Sequence, residues 1–283
     1  MKKISLADVK EKVKQAVQEA NFVIDADLKK LIERHRSSEE SPTGKEILDQ
    51  ILQNAVIADQ EKLALCQDTG LAIFFVELGE QAQFDSTGFK SLADAIQQGA
   101  VAGYEEGFLR KSVCDPLSRK NTGNNAPVFI HWEVVPGSGL AVTFVAKGGG
   151  SENMSALKMM APSAGVKGIE DFVVDTLSKA GPNPCPPTVV GVGVGGNFDR
   201  VALLAKQALL RKPVGAPHPD PATADMEKRI LERINNLGIG PMGLGGRTTA
   251  LAVHIESHPC HIASLPVAVN VNCHSHRVVK IGF

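Results

Sequence analysis

Gly70-Leu-Ala-Ile-Phe-Phe-Val-Glu-Leu78 is where the sequence changes texture. A short apolar run opened by glycine and rich in aromatic and β-branched residues reads as a buried strand. What precedes it reads as helix. Leu6, Val9, Val13 and Val17, then Leu28, Leu31 and Ile32, recur at helical spacing, and Asp25 or Asp27 stands where the second helix needs an N-cap. A third helix is expected over 42–61, with Ile47, Ile51, Leu52, Ala55 and Ile57 on its buried stripe. Beyond the run, strand-like segments at 127–135, 139–146, 188–194, 249–255 and 266–271 alternate with helical ones at 88–109, 165–179, 199–210 and 222–236. The expectation is an α/β fold in which a helical N-terminal segment, 1–64, packs as a layer of the same domain on a mixed-sheet core, 65–283. The apolar end over 277–283 suits an edge strand, or a surface covered by another chain.

A length of 283 residues exceeds one ordinary hydrophobic core without requiring two. With 43% hydrophobic and 22% charged residues, the chain is an ordinary soluble one, neither disordered nor a disulfide scaffold. A net charge of -1 gives no basic field for phosphate, which argues against a nucleic-acid partner. Residues 4–23 are amphipathic rather than an apolar signal core, and no run reaches membrane-spanning length, so a cytoplasmic location and no membrane partner are expected. Five cysteines in a reducing compartment read as free thiols, metal ligands or nucleophiles before disulfides.

The polar, glycine-rich stretches fall between the elements, where α/β proteins place their chemistry. Cys66-Gln-Asp-Thr-Gly presents a thiol, an amide and a carboxylate on one turn before the first strand. Cys185 sits in Asn-Pro-Cys-Pro-Pro, whose prolines stiffen the loop, and Cys273 follows a strand in Val-Asn-Cys-His-Ser-His-Arg. Each also reads as a plain buried thiol, and spacing alone names no metal, because neither a compact ferredoxin pattern nor a Cys-x-x-Cys pair is present. Three cysteine ligands on a four-iron cluster would leave one iron open for Lewis-acid chemistry. Cys114 and Cys260 lack such stiff surroundings. Lys147-Gly-Gly-Gly-Ser-Glu-Asn153 has bare backbone amides suited to an anion, or is a simple turn; it is not a Walker loop. Gly191-Val-Gly-Val-Gly-Gly196 satisfies a dinucleotide-loop pattern but lacks the later strand-end acid. His254, His258, Cys260 and His261, with His274 and His276, form an alternative zinc set without a His-Glu-x-x-His run.

Taken in order, Cys66-Gln-Asp-Thr-Gly, Leu109-Arg-Lys-Ser, Asn121-Thr-Gly-Asn-Asn-Ala-Pro, Ala146-Lys-Gly-Gly-Gly-Ser-Glu-Asn, Cys185-Pro-Pro, Leu237-Gly-Ile-Gly-Pro-Met-Gly-Leu-Gly-Gly, His261-Ile-Ala-Ser-Leu-Pro and Asn272-Cys-His-Ser-His-Arg resemble the class I fumarase and tartrate dehydratase family, oxygen-sensitive iron-sulfur hydro-lyases. The resemblance spans nearly the whole chain. It implies a [4Fe-4S] cluster on Cys66, Cys185 and Cys273, with Cys114 and Cys260 left out. It further implies substrate contacts from Gln67, Asp68, Arg110, Gly150 and a helix start following Asn153, and a histidine of the site at His261. Asp68 is the candidate for proton transfer, positioned through His261. The substrate implied is a four-carbon dicarboxylate; the 146–153 loop looks more like the fumarase branch, with tartrate dehydration as the alternative and an iron-sulfur sensor or scaffold as the non-enzymatic one. The chain resembles an α subunit, so a β subunit completing the site and a higher oligomer are implied.

Overall fold

The computed structural model describes residues 3–283. In chain order the elements are β1 (Ile4–Ser5), α1 (Leu6–Phe22), α2 (Ala26–Ser38), α3 (Pro42–Glu61), β2 (Leu71–Gly79), β3 (Phe84–Asp85), α4 (Leu92–Glu106), β4 (Phe129–Val135) and β5 (Leu140–Lys147). There follow α5 (Gly149–Glu152), β6 (Ala156–Met160), α6 (Gly165–Ala180), β7 (Thr188–Gly195), α7 (Phe198–Ala208), α8 (Pro221–Asn235), β8 (Ala250–His258), β9 (Leu265–Asn272) and β10 (Val278–Gly282). This is an α/β fold with two four-stranded sheets, both mixed: β2 runs parallel to β4 and antiparallel to β5, and β7 runs parallel to β8 and antiparallel to β9. The chain divides into two units, one made of the residues up to Ile24, Ala55–Gly149 and Arg277–Phe283, the other of Asp25–Asn54 and Gly150–His276.

The first unit is built on the sheet β10-β5-β2-β4. Alternation along β2 and β5 sends Phe74, Val76, Val142 and Phe144 into one core, with the Phe74 and Phe144 rings 5.2 Å apart. That core is completed by α1, capped by Ser5, and α4, capped by Ser91. The two helices lie close because α4 presents glycine: a Cβ at Gly99 would stand 2.5 Å from the Lys10 carbonyl oxygen, and one at Gly103 2.8 Å from the Val17 Cβ. The C-terminal run is an edge strand, β10, paired antiparallel to β5.

In the second unit the sheet order is β6-β9-β7-β8. Its core joins Val173 and Leu177 of α6, Ile230 and Ile234 of α8, and the valines of β7 and β9. The dinucleotide-like glycines have a packing role here. A Cβ at Gly191 would lie 2.2 Å from the Ala205 carbonyl oxygen, and one at Gly193 2.2 Å from that of Val201, so α7 rests directly on the bare backbone of β7. Asp25 caps α2, accepting the Asp27 and Leu28 amides. Two local expectations are corrected. On α3 the buried positions are Leu48, Ile51, Ala55 and Ala58, whereas Ile57, one residue and about 100° from Ala58, is exposed. No helix follows Asn153: the chain makes the short α5 before it and then enters β6, an edge strand fixed by pairing with β9. Among the described residues, no helix is long and apolar enough to cross a membrane.

Candidate functional site

In the first unit, the turn that enters β2 is wired from four directions. Gly70, at φ +76°, packs so closely that a Cβ would lie 2.6 Å from the carbonyl carbon of Lys147. The turn this permits lets Asp68 Oδ1 accept the Gly70 amide at 3.0 Å while Oδ2 accepts the Gly149 amide at 2.7 Å. The Gly loop therefore gives one amide, that of Gly149, to a carboxylate, and that carboxylate is the chain's own. Thr69 donates its hydroxyl to the Arg110 carbonyl at 2.6 Å, which ties the Arg110 segment to the same turn. Buried Tyr104 donates to the carbonyls of Thr69 and Gly70 at 2.9 and 3.1 Å; burial pushes its phenol pKa up, so it remains a donor.

Asn125 lies in the Asn121–Pro127 motif without an assigned role, and the structure makes it a hub. Its Nδ2 donates to the Gly70 carbonyl at 3.1 Å, and its Oδ1 accepts the amides of Ser112 and Val113 at 2.7 and 3.1 Å. It is 1% exposed and holds φ +61°, a conformation asparagine tolerates better than most residues. A second unanticipated residue is Arg277, buried, donating from Nη1 to Asn21 Oδ1 at 2.9 Å. A Cβ placed on Gly148 would lie 3.2 Å from Asp68 Oδ2 and 3.4 Å from Arg277 Nη2, so carboxylate and guanidinium border the same point. Arg277 closes the Asn272–Arg277 motif, and beyond that its signal was a cation directly before an apolar strand. Cys66 is half-buried, and Gln67 and Arg110 are exposed around this turn.

The second unit holds Cys185 and Cys273, both half-buried and in no disulfide. Their loops are joined: the Cys185 carbonyl accepts the His274 amide at 3.4 Å and lies 3.1 Å from His274 Nδ1. Cys185 occupies φ +55°, with its amide bonded to the Pro182 carbonyl at 3.0 Å, so the loop fixes the direction in which the thiol leaves the backbone. Cys273 Sγ is 3.1 Å from Ser275 Oγ. Gly150 and Asn153 are exposed on either side of Glu152, whose carboxylate pairs with Lys206 and accepts Asn270 Nδ2 at 2.8 Å. His261 is exposed in the loop between β8 and β9, its Nδ1 accepting the Ala263 amide at 3.1 Å.

The competing donor sets are otherwise engaged. His254 is buried, with Nε2 accepting the Gly215 amide at 3.0 Å and Nδ1 3.1 Å from the Ala208 carbonyl; burial, then the Arg211 charge, lowers its pKa to about 4. Cys260 is exposed and directs its Sγ to the Ser264 carbonyl at 3.2 Å, and Cys114 sits in a lone bridge opposite Asn121. Within neither unit are three His, Cys, Asp or Glu side chains grouped as around one metal ion, among the described residues.

Two mixed sheets with polar loops at their strand ends define an α/β protein. A profile of the family described as fumarate hydratase (Fumerase) matches residues 10–282, and the chain belongs to this family of hydro-lyases. It is 43% identical over 94% of both chains to the "Putative L(+)-tartrate dehydratase subunit alpha" of Methanocaldococcus jannaschii. It is 33% identical to the L(+)-tartrate dehydratase subunit alpha of Escherichia coli K12, over 86% of this chain and 80% of that one.

Proposed function

We propose that the chain catalyses the reversible hydration of fumarate to malate as the α subunit of an iron-sulfur hydro-lyase, completed by a β subunit. The observation that carries this reading is Asp68, a carboxylate anchored through both oxygens to the Gly70 and Gly149 amides, two residues beyond the half-buried thiol of Cys66. Cys66, Cys185 and Cys273 are the proposed ligands of a [4Fe-4S] cluster. The donor chemistry fits: all three are half-buried cysteines outside any disulfide, on strand-end loops, while exposed Cys260 bonds back to its own loop. When bound, such a cluster on three cysteines supplies one iron with an open position, a Lewis acid toward the substrate hydroxyl and its neighbouring carboxylate.

The chain's own side chains account for the remaining demands. Dehydration of malate removes a hydroxide from one carbon and a proton from the next; hydration returns both. The proton sits on a poorly acidic carbon, so its acceptor must be held in place beforehand. Asp68 meets that need, since each oxygen spends one lone pair on a backbone amide and keeps another for the proton. Arg110 is assigned to pair with a substrate carboxylate. Gln67, Gly150 and Asn153 are assigned as further polar contacts, and His261 as the group that positions the proton transfer. Reduced thiols of this kind suit the cytoplasm.

L(+)-tartrate is the second reading, favoured by the names of the curated relatives, and it needs the same handling of a four-carbon diacid. The test is anaerobic purification with and without a candidate β partner, then iron and sulfide analysis and assays on fumarate, malate and L(+)-tartrate. About four irons and four sulfides per chain with fumarate–malate turnover are expected. Turnover of tartrate alone selects the second reading. An active, iron-free protein removes the cluster, and a loaded protein inert toward all three acids points to a sensor or scaffold.

A further inference from the structure

β4 is the outer strand of the first unit's sheet: β2 pairs with one of its edges, and no strand lies on the other among the described residues. Proteins usually blunt such an edge with charged residues, above all lysine, with proline or with a bulge. β4 carries a single charge, Glu133, and none of the other devices. It reads Phe129-Ile-His-Trp-Glu-Val-Val135, with Phe129 46%, Trp132 47% and Val134 68% exposed, and Trp132 is the chain's single tryptophan. Register places Ile130 and Trp132 on the face of Phe74 and Val76, and His131 on the opposite face, stacked on Phe75 at 4.9 Å.

We propose that this edge pairs antiparallel with the same edge of a second copy of the chain, about a two-fold axis through Trp132. Paired residues in a sheet must share a face, so the axis of a symmetric strand pair passes through a residue. With Trp132 on the axis, Ile130 meets Val134, Phe129 meets Val135, and His131 meets Glu133, each twice. Moving the axis to His131 sets imidazole against imidazole and Phe129 against Glu133. Moving it to Glu133 sets two carboxylates face to face, and like groups directly opposite destabilise. Of these three registers, the central one alone matches apolar with apolar and base with acid. This complementarity of the strand with itself is what selects a second copy as the occupant.

The test uses the full-length chain, with any partner subunit that copurifies, and reads the number of copies per particle by light scattering. The native protein is expected to carry two copies. His131→Glu sets carboxylates opposite each other at both symmetry-related pairs and should weaken the association by roughly tenfold or more. The exchange His131→Glu with Glu133→His restores the pairing and should restore the dimer, which separates this effect from loss of the Phe75 stack. Trp132→Cys should form a disulfide to its own copy under mild oxidation beyond that of the parent protein, whereas Phe129→Cys should not. A single copy per particle, a dimer indifferent to His131→Glu, equal cross-linking at both positions, or a cross-link from Trp132→Cys to a different polypeptide would each overturn the proposal.

Discussion

The Asp68 carboxylate accepts the Gly149 amide at 2.7 Å across 81 residues of sequence, and Gly70, two residues on, binds its other oxygen. Asp68→Asn keeps one carbonyl acceptor and the shape of the turn, so the melting temperature should stay within a few degrees. Turnover should fall by about 100-fold or more, because an amide is no proton acceptor at neutral pH. Asp68→Ala strands both backbone donors as well, at about 1–3 kcal/mol each when they are buried. Kinetics and thermal melts on the two variants separate these effects; unchanged turnover in Asp68→Asn assigns proton transfer elsewhere.

Asn125 holds that turn from behind, bonding the Gly70 carbonyl and the Ser112 and Val113 amides from a positive-φ position. Asn125→Ala should cost on the order of 3 kcal/mol, from three lost bonds in a buried place. Asn125→Gly loses the same bonds but relieves the backbone, and should be less harmful by about 1 kcal/mol. Denaturant titration of the pair checks the order; if alanine proves the milder change, the strain at this position is not what the geometry implies.

The elements that were legible in the sequence are those whose own periodicity decides them, such as β2, β5 and the amphipathic α6 and α8. β6 was not, because Ala156-Leu-Lys-Met-Met has an exposed Lys158 and Met159 and becomes a strand only by pairing with β9. On α3, Ile51 and Ala55 fit two overlapping helical stripes, and tertiary packing chose the one through Leu48 and Ala58. Among the candidate residues, Cys66, Asp68, Cys185 and Cys273 stood out by residue type and local stiffness. Asn125 and Arg277 did not, since an asparagine before Ala-Pro looks like any loop residue until its three partners are seen. The Gly loop was recognisable as an anion cradle, but which anion it holds depends on a contact 81 residues away.

Serine substitutions should divide the five cysteines, none of them in a disulfide, into two groups. Cys66→Ser, Cys185→Ser and Cys273→Ser are expected to abolish bound iron and the visible absorption of the anaerobic protein. Cys114→Ser and Cys260→Ser should leave both unchanged, and none of the five should lower the melting temperature of the iron-free chain by more than a few degrees, because none lies in a core. Iron retained in any of the first three overturns the ligand assignment.

Acid should destabilise the fold in two stages. His254 has its pKa lowered from 6.5 to about 4 by burial and the Arg211 charge, so the unfolded chain takes up this proton first. Its contribution is complete above pH 6.5 and lost as pH falls toward 4, about 2 kcal/mol of it by pH 5. Glu39 follows: burial raises its pKa, but the Thr248 hydroxyl and the amides of Arg247, Ser41 and Thr248 outweigh that and hold it at about 2 against 4.5. That stabilisation is present above pH 4.5 and falls by about 2 kcal/mol by pH 3. Urea titrations across this range check both, and replacing His254 should flatten the curve between pH 7 and 5 but not below 4.

Gly193 offers a decision between two uses of the Gly191–Gly196 run. A methyl group there would lie 2.2 Å from the Val201 carbonyl oxygen and 2.8 Å from the Ala205 nitrogen, both backbone atoms of α7 that cannot turn aside. Gly193→Ala must therefore push the helix off β7, at roughly 2–3 kcal/mol for overpacking. The glycine at Gly181, at φ +54° with nothing within 4 Å of its Cβ position, is strained by alanine without being crowded, and should lose only about 1–2 kcal/mol. If the run instead served a dinucleotide, the native protein would be stabilised by NAD or NADP in a thermal shift, and Gly193→Ala would remove that shift. The packing account expects no shift in either protein and a melting temperature lower in Gly193→Ala than in Gly181→Ala.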